Sequence, residues 1–308
     1  MFTAGKGRLA IGVVAVGAVI ALSGCSSSDP TDATGGSSSG GGETLVVGSQ
    51  DYYSSEIIAE IYAQALEAGD YTVERDFRIG VREIYLPEIE DGSIDVFPEY
   101  EGSLLQALDP DAAGGTSEEV YTALQAALPD GLTALDAAAA SDQNSWTVTS
   151  AFADEYDLTD IASLANVTEP ILVGGNSELE TRPYGPTALK DTYGITTAGF
   201  VAVEDSGGPL TVKSLVDGDI QLANIYTADP NIASNDLVAL EDPDGLFLPD
   251  NVVPIVSDKV DETAAGILND VTAELTQDDL VALNAESVND QRSAEDIASD
   301  WLESKNLS

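Results

Sequence analysis

The chain of 308 residues contains no histidine and only one cysteine. Without histidine, neither a Ser–His nor a Cys–His catalytic pair can form, and imidazole metal ligands are excluded as well. A single cysteine also excludes a disulfide bond within the chain. These absences remove the commonest nucleophilic hydrolase mechanisms and the commonest zinc sites from consideration.

Basic residues are also scarce, because 11 Lys and Arg stand against 55 Asp and Glu and give a formal net charge of −44. Nucleic acid is therefore not expected as a partner, since phosphate recognition needs a basic surface. The charged fraction is an ordinary 21%, so the acidity comes from a shortage of cations. We interpret it as a solvating surface, with an acidic docking site as the alternative. With 43% hydrophobic residues, the chain can bury a sizeable core.

The first 24 residues have the features of a bacterial lipoprotein signal peptide. Lys6 and Arg8 precede an apolar run from Leu9 to Leu22 that is too short for a typical spanning helix. The Leu-Ser-Gly-Cys segment that ends at Cys25 resembles a lipobox, in which the cysteine receives the lipid and becomes the mature N-terminus. An ordinary secretory signal is the alternative. We expect a protein on the extracytoplasmic face of the cell membrane, anchored only through Cys25.

Residues 25–43 are rich in serine and glycine, which is typical of a flexible tether. From Thr44 onward, short apolar strands alternate with helical stripes. This alternation predicts an α/β body with mostly parallel sheets flanked by helices. Ser54 or Ser55 is expected to cap the first helix, and Ser293 is expected to open the last one with a capping box. Two such units on a tether indicate a two-lobed binding protein, with its ligand in the cleft at the carboxyl ends of the strands.

Five segments resemble, in family order, the substrate-binding proteins of ABC importers for glycine betaine, carnitine and choline. They are VGSQ at 47–50, IDVFPEYEGS at 94–103, GGPLT at 207–211, ANIYTADP at 223–230 and the stretch 240–254. The resemblance implies a two-lobed periplasmic-binding-protein-like fold of type II. Lobe 1 would take 44–142 and 252–308, and lobe 2 would take 143–251, with a two-crossing hinge. The resemblance also implies a quaternary ammonium ligand and an ABC permease as partner. It further implies a monomer with no enzymatic activity and with no cofactor or metal.

An aromatic cage is the chemistry expected for such a ligand. A trimethylammonium group is charged but has no N–H to donate, and aromatic faces attract it at about 0.5–2 kcal/mol per ring. By resemblance, the cage residues are Tyr100, Trp146 and Tyr226. Some relatives carry a further tyrosine where this chain has Asp250 and Asn251. Three other tyrosines are therefore candidates for the remaining side of the cage: Tyr52, Tyr53 and Tyr85. An acidic side chain that complements the cation is a further possibility.

Arg182 matches an arginine that clamps the ligand carboxylate in relatives, and its planar fork of N–H donors suits that role. A surface ion pair with Glu178 or Glu180 is the alternative. Three uncharged residues match polar ligand contacts of the family, although each could be a turn residue: Gln50, Ser103 and Thr211.

Other classes of function remain open at this point. Paired carboxylates could serve glycoside hydrolysis, but abundant acids make chance pairs common, and no distinctive acid/base motif is present. Acidic clusters could bind a metal, but none has EF-hand spacing. The same fold could also bind another small solute, such as an amino acid or a polyamine.

Overall fold

The structure is a computed structural model that describes residues 44–112 and 114–308. All the described residues belong to one compact unit within Gly40–Ser308. The predicted signal peptide, the predicted lipidation site Cys25 and the predicted linker lie outside the described residues.

The described residues contain ten strands and eleven α-helices in alternation, with short 3-10 helices at Ala162–Asn166 and Ser177–Thr181. The strands are β1 Leu45–Gly48, β2 Val73–Asp76, β3 Val96–Tyr100, β4 Leu132–Ala134, β5 Asn144–Thr149, β6 Leu172–Gly175, β7 Gly199–Ala202, β8 Leu222–Tyr226, β9 Leu237–Ala239 and β10 Val252–Ser257. The helices are α1 Tyr53–Ala68, α2 Arg82–Glu90, α3 Glu101–Leu108, α4 Ser117–Ala127, α5 Ser150–Tyr156, α6 Pro186–Tyr193, α7 Pro209–Val216, α8 Asn231–Ser234, α9 Glu262–Glu274, α10 Gln277–Asp290 and α11 Ala294–Lys305.

The strands form two five-stranded mixed sheets with equivalent arrangements. The first has the order β2-β1-β3-β10-β4, and the second has the order β7-β6-β8-β5-β9. In each sheet, three neighbouring strands are parallel and the fourth is antiparallel to both of its neighbours. The predicted two-lobed α/β class is confirmed, with sheets flanked by helices.

Lobe 1, which carries the first sheet, has helices on both faces of that sheet. Val252 and Val256 of β10 pack with α1, α9, α10 and α11, whereas Val253 and Ile255 pack with α2, α3 and α4 on the opposite face. Because both faces are covered, the strand is apolar from Val252 to Val256 rather than alternating. Lobe 2 is built in the same way around the second sheet, with its own apolar clusters.

Two segments connect the lobes: the first crossing, 135–143, and the second crossing, 240–251. They run side by side, because Ser141 and Asn251 form an antiparallel bridge and the Val252 N–H donates to the Ala140 carbonyl at 3.0 Å. The Asn251 amide also donates to the Ala138 carbonyl at 2.8 Å. The lobe boundaries that we propose, 142/143 and 251/252, fall at these crossings.

Two details of the helix starts differ from expectation. Neither Ser54 nor Ser55 caps α1, because the helix begins at Tyr53 and Tyr52 is its N-cap. The Ser55 hydroxyl instead accepts from the Gln50 N–H at 3.2 Å. Ser293 does cap α11, accepting from the Asp296 N–H at 3.1 Å, but no reciprocal bond to the Ser293 N–H is formed.

Candidate functional site

A cavity lies between the two lobes and is bounded by the crossings. Its volume is about 760 Å³, including space open to solvent at its mouth. Residues from the ends of strands β1, β3 and β8, and from the loops that follow them, line it together with Asp142 and Asp250 of the two crossings. This is the position that a sheet with parallel strands offers to a ligand, at the carboxyl ends of the strands.

Four tyrosines form the aromatic part of the wall: Tyr52, Tyr100, Tyr184 and Tyr226. Tyr100 and Tyr226 are the last residues of β3 and β8, so each ring stands where its strand ends. The Tyr52 ring of lobe 1 and the Tyr226 ring of lobe 2 lie 4.9 Å apart at an angle of 51°. Tyr184 packs against Phe247 at 5.7 Å. Aromatic side chains of both lobes therefore meet around one cavity.

Two buried carboxylates face the same cavity. Asp142 is 2% exposed and accepts hydrogen bonds from the Tyr52 hydroxyl at 3.1 Å and the Ala228 N–H at 2.8 Å. Asp250 is 3% exposed and accepts from the N–H and the hydroxyl of Ser103, at 2.8 and 2.5 Å. Burial raises the pKa of Asp142 to about 7 and that of Asp250 to about 6.

Both arginines in the cavity wall are already paired with glutamates of lobe 1. Arg82 donates through Nε and Nη2 to Glu99 at 2.9 and 2.8 Å, and Glu99 is fully buried. Arg182 holds Glu83 at 2.6 and 3.0 Å through its two terminal nitrogens. The partner of Arg182 is thus neither Glu178 nor Glu180. Because Glu83 belongs to lobe 1, this ion pair joins the lobes at the cleft.

Five residues predicted from sequence lie together in the cavity wall: Gln50, Tyr100, Ser103, Arg182 and Tyr226. The buried Nε2 of Gln50 has no hydrogen-bond partner within the described part of the chain, so it can donate to a ligand oxygen. The Ser103 hydroxyl already donates to Asp250, so towards a ligand it can only accept.

Trp146 does not line the cavity, which corrects the expectation that it belongs to the cage. It is fully buried in the core of lobe 2, with its ring 6.2 Å from that of Phe247. Asn144 lies two residues earlier on the same face of β5, opposite Tyr226, and it is Asn144 that lines the cavity. Trp146 is therefore about 7 Å deeper along the strand than the residue that reaches the cleft.

Thr211 is likewise absent from the cavity wall, contrary to expectation. Its hydroxyl donates to Asp205 at 2.5 Å, and its N–H donates to the same carboxylate at 3.1 Å, in the first turn of α7. The preceding Gly207 does line the cavity. It has a φ of +77°, and a Cβ there would lie 2.9 Å from the Asn224 carbonyl oxygen, so a larger residue would be strained and crowded.

Of the three tyrosines considered for the remaining side of the cage, only Tyr52 lines the cavity. Tyr53 instead donates to Asp229 at 3.0 Å, and Tyr85 stacks on Phe97 and donates to Glu99. Asp250 faces the cavity, which agrees with the alternative that an acidic side chain complements the cation. Asn251 instead lies in the hinge.

Sequence reasoning missed several residues of the wall, above all Tyr184, Asp142, Asn144, Asn176 and Asn224. Tyr184 lies two residues after Arg182, and that proximity was an available signal. Asp142 lies in the first crossing, where no periodic pattern identifies the direction of a side chain.

Two lobes, a two-crossing hinge and an aromatic, acidic cavity between them define a solute-binding protein of the two-lobed class. Residues 43–304 match the family described as the substrate-binding domain of ABC-type glycine betaine transport systems. The match covers most of the chain, and the chain belongs to this family of substrate-binding proteins.

Solved structures with the same fold include several binding proteins at low sequence identity. A structure described as a glycine betaine/carnitine/choline ABC transporter is similar at 19% identity, with a TM-score of 0.70, over 85% of this chain and 99% of that one. A choline-binding protein of an ABC transporter in complex with choline is similar at 16% identity and a TM-score of 0.64, over 85% and 89%. Lactococcal OpuAC in its closed form with glycine betaine is similar at 13% identity and a TM-score of 0.61, over 86% and 96%.

In 44–112 and 114–308, no helix is long and apolar enough to cross a membrane. Over the same residues, no group of three or more Cys, Asp or Glu side chains is arranged to hold a metal ion.

Proposed function

We propose that the protein captures a quaternary ammonium solute in the cavity between its lobes and delivers it to an ABC permease. The observation that carries the proposal is the meeting of tyrosines from both lobes with buried carboxylates around one cavity. Aromatic faces and carboxylates both attract an ammonium group that cannot donate a hydrogen bond, and each ring contributes about 0.5–2 kcal/mol.

The hinge gives this cavity a way to open and close. A ligand in the cavity can touch tyrosines of both lobes at once: Tyr52 and Tyr100 of lobe 1, and Tyr184 and Tyr226 of lobe 2. Such a ligand binds the closed form more tightly than the open one. It therefore shifts the population towards closure, and the closed form is the one that the permease would recognise. Gln50 and Ser103 contribute polar contacts in this scheme.

Calorimetric titration tests the ligand class directly. We expect saturable binding of choline or glycine betaine, and much weaker binding of their unmethylated counterparts ethanolamine and glycine. Alanine at Tyr100 or Tyr226 should weaken binding by about 1–3 kcal/mol, whereas phenylalanine should be milder because the ring face remains. Tyr156→Ala is the matched control, since Tyr156 packs on Phe152 away from the cavity. Equal binding of methylated and unmethylated compounds would refute the cage.

The membrane attachment is a separate part of the proposal and rests on the sequence around Cys25. We propose that Cys25 is lipidated and holds the protein, as a monomer, on the extracytoplasmic face of the cell membrane. Cys25→Ser should release the protein from membranes or leave an unprocessed precursor, as judged by fractionation and mass spectrometry. Unchanged attachment with normal processing would contradict the lipid anchor.

A further inference from the structure

We infer that the cavity selects ligands with a net positive charge, such as choline, over zwitterionic betaines, and that Asp142 sets this preference. The inference rests on the proposed function and narrows it to one charge class of ligand.

Both arginines of the cavity are already paired with glutamates and are therefore poor partners for a ligand carboxylate. A carboxylate bound by Arg182 in the same two-pronged geometry would have to displace Glu83. At Arg82, the same exchange would leave Glu99, a fully buried anion, without its cation. Leaving a buried charge uncompensated is strongly unfavourable.

Two carboxylates of the cavity wall form no salt bridge within the described part of the chain. In the part of the chain that the structure describes, neither Asp142 nor Asp250 lies within 4.0 Å of a basic nitrogen. Their hydrogen bonds come from hydroxyl and backbone N–H groups, which do not neutralise a charge. Buried carboxylates without a partner are unfavourable, and a cationic ligand would compensate them.

Asp142 lies beside the aromatic rings of the cavity wall. Its carboxylate accepts the Tyr52 hydroxyl, and the Tyr52 ring lies against that of Tyr226. A cation held by these rings therefore lies in the field of Asp142 as well. The carboxylate of a betaine would enter a wall that also contains Asp250 and Glu178, and it would be repelled by them.

The protonation of these groups supports the same conclusion. Burial raises the pKa of Asp142 to about 7 and of Asp250 to about 6, so both gain their charge as the pH rises through this range. The ionisable groups that face Asp142 are four tyrosines and two carboxylates: Tyr52, Tyr53, Tyr100, Tyr226, Asp229 and Asp250. Those that face Asp250 are Arg82, Glu99, Glu101, Tyr100, Tyr184 and Asp142. Cation affinity should therefore increase from about pH 5.5 to about pH 8, whereas affinity for a zwitterion should not.

The test is the ratio of the dissociation constants of glycine betaine and choline, measured by calorimetry. In the unmodified protein near pH 8, choline should bind at least about tenfold more tightly. Asp142→Asn keeps the size of the side chain and removes its charge, so it should lower the ratio by about tenfold or more. The matched control is Asp95→Asn, because Asp95 is also a buried carboxylate of lobe 1, but it accepts from the Ser257 hydroxyl at 2.8 Å and does not line the cavity. This control should leave the ratio unchanged.

A protein that binds betaine more tightly than choline, or an Asp142→Asn ratio equal to that of the unmodified protein, would overturn the inference. Should Asp142→Asn fail to fold, the pH series of the unmodified protein decides, since the ratio must fall as the pH is lowered from about 8 to about 5.5. Binding of neither ligand would instead overturn the proposed function.

Discussion

Removing the charge of Asp142 should stabilise the unliganded protein, by an amount that depends on pH. Asp142 is 2% exposed, and its pKa of about 7 compares with 3.8 for the free side chain. Because the folded state binds this proton more tightly than the unfolded state does, the group's contribution to stability is greatest at low pH. It is lost as the pH rises from about 4 to about 7.

The magnitude follows from the size of the shift. One pKa unit corresponds to about 1.4 kcal/mol, so a shift of about three units costs about 4 kcal/mol once Asp142 is ionised in both states. Near pH 8 this cost is complete, and near pH 4 most of it is absent because Asp142 is protonated in the folded state. Asp142→Asn keeps the acceptor for the Ala228 N–H and avoids the charge. We therefore expect it to raise the free energy of unfolding by a few kcal/mol near pH 8 and hardly at all near pH 4.

Urea unfolding of the unliganded protein at both pH values measures this difference. Two results would refute the reasoning: a variant less stable than the unmodified protein at the higher pH, or an equal gain at both. The stabilised variant should at the same time bind choline more weakly, which separates the contribution of Asp142 to ligand binding from its contribution to folding.

Three other substitutions have expected outcomes of different kinds. Trp146→Ala should lower the free energy of unfolding by about 3–5 kcal/mol, because the ring fills the core of lobe 2; normal stability in urea combined with lost ligand affinity would place the ring in the cage after all. Arg82→Ala should lower the free energy of unfolding by about 3–5 kcal/mol, because it leaves Glu99 buried and unpaired. Adding Glu99→Gln should recover part of this loss. An unchanged melting temperature would argue against the buried pair. Arg182→Ala should change stability by less than about 1 kcal/mol, since Glu83 is half exposed. It also removes a contact between the lobes, so small-angle scattering should show a larger radius of gyration without ligand, and an identical radius would show that the ion pair does not hold the cleft.

The sequence predicted those parts of the fold that depend on local pattern. The alternation of apolar runs and helical stripes indicated the α/β class, and Ser293 was correctly expected at the start of the last helix. Tyr100 and Tyr226 were expected in the cavity wall by resemblance, and each ends an apolar strand, where strand ends meet at one edge of a sheet.

The sequence could not predict how deep a residue lies along a strand or where a loop directs its side chains. Asn144 and Trp146 share a face of β5, and only the register with β8 shows which of them reaches the cleft. Asp142 and Asp250 lie in the crossings, where neither helical nor strand periodicity applies. Their proximity depends on the pairing of the two crossings, which is a contact between residues distant in sequence.

The most direct test of the central claim is the position of a bound quaternary ammonium ligand in a crystal structure of the complex with choline. We predict the trimethylammonium nitrogen between the lobes, within about 6 Å of the ring centroids of Tyr100 and Tyr226, with Asp142 facing it. A ligand outside this cavity, or one whose ammonium group contacts none of the four tyrosines, would contradict the account.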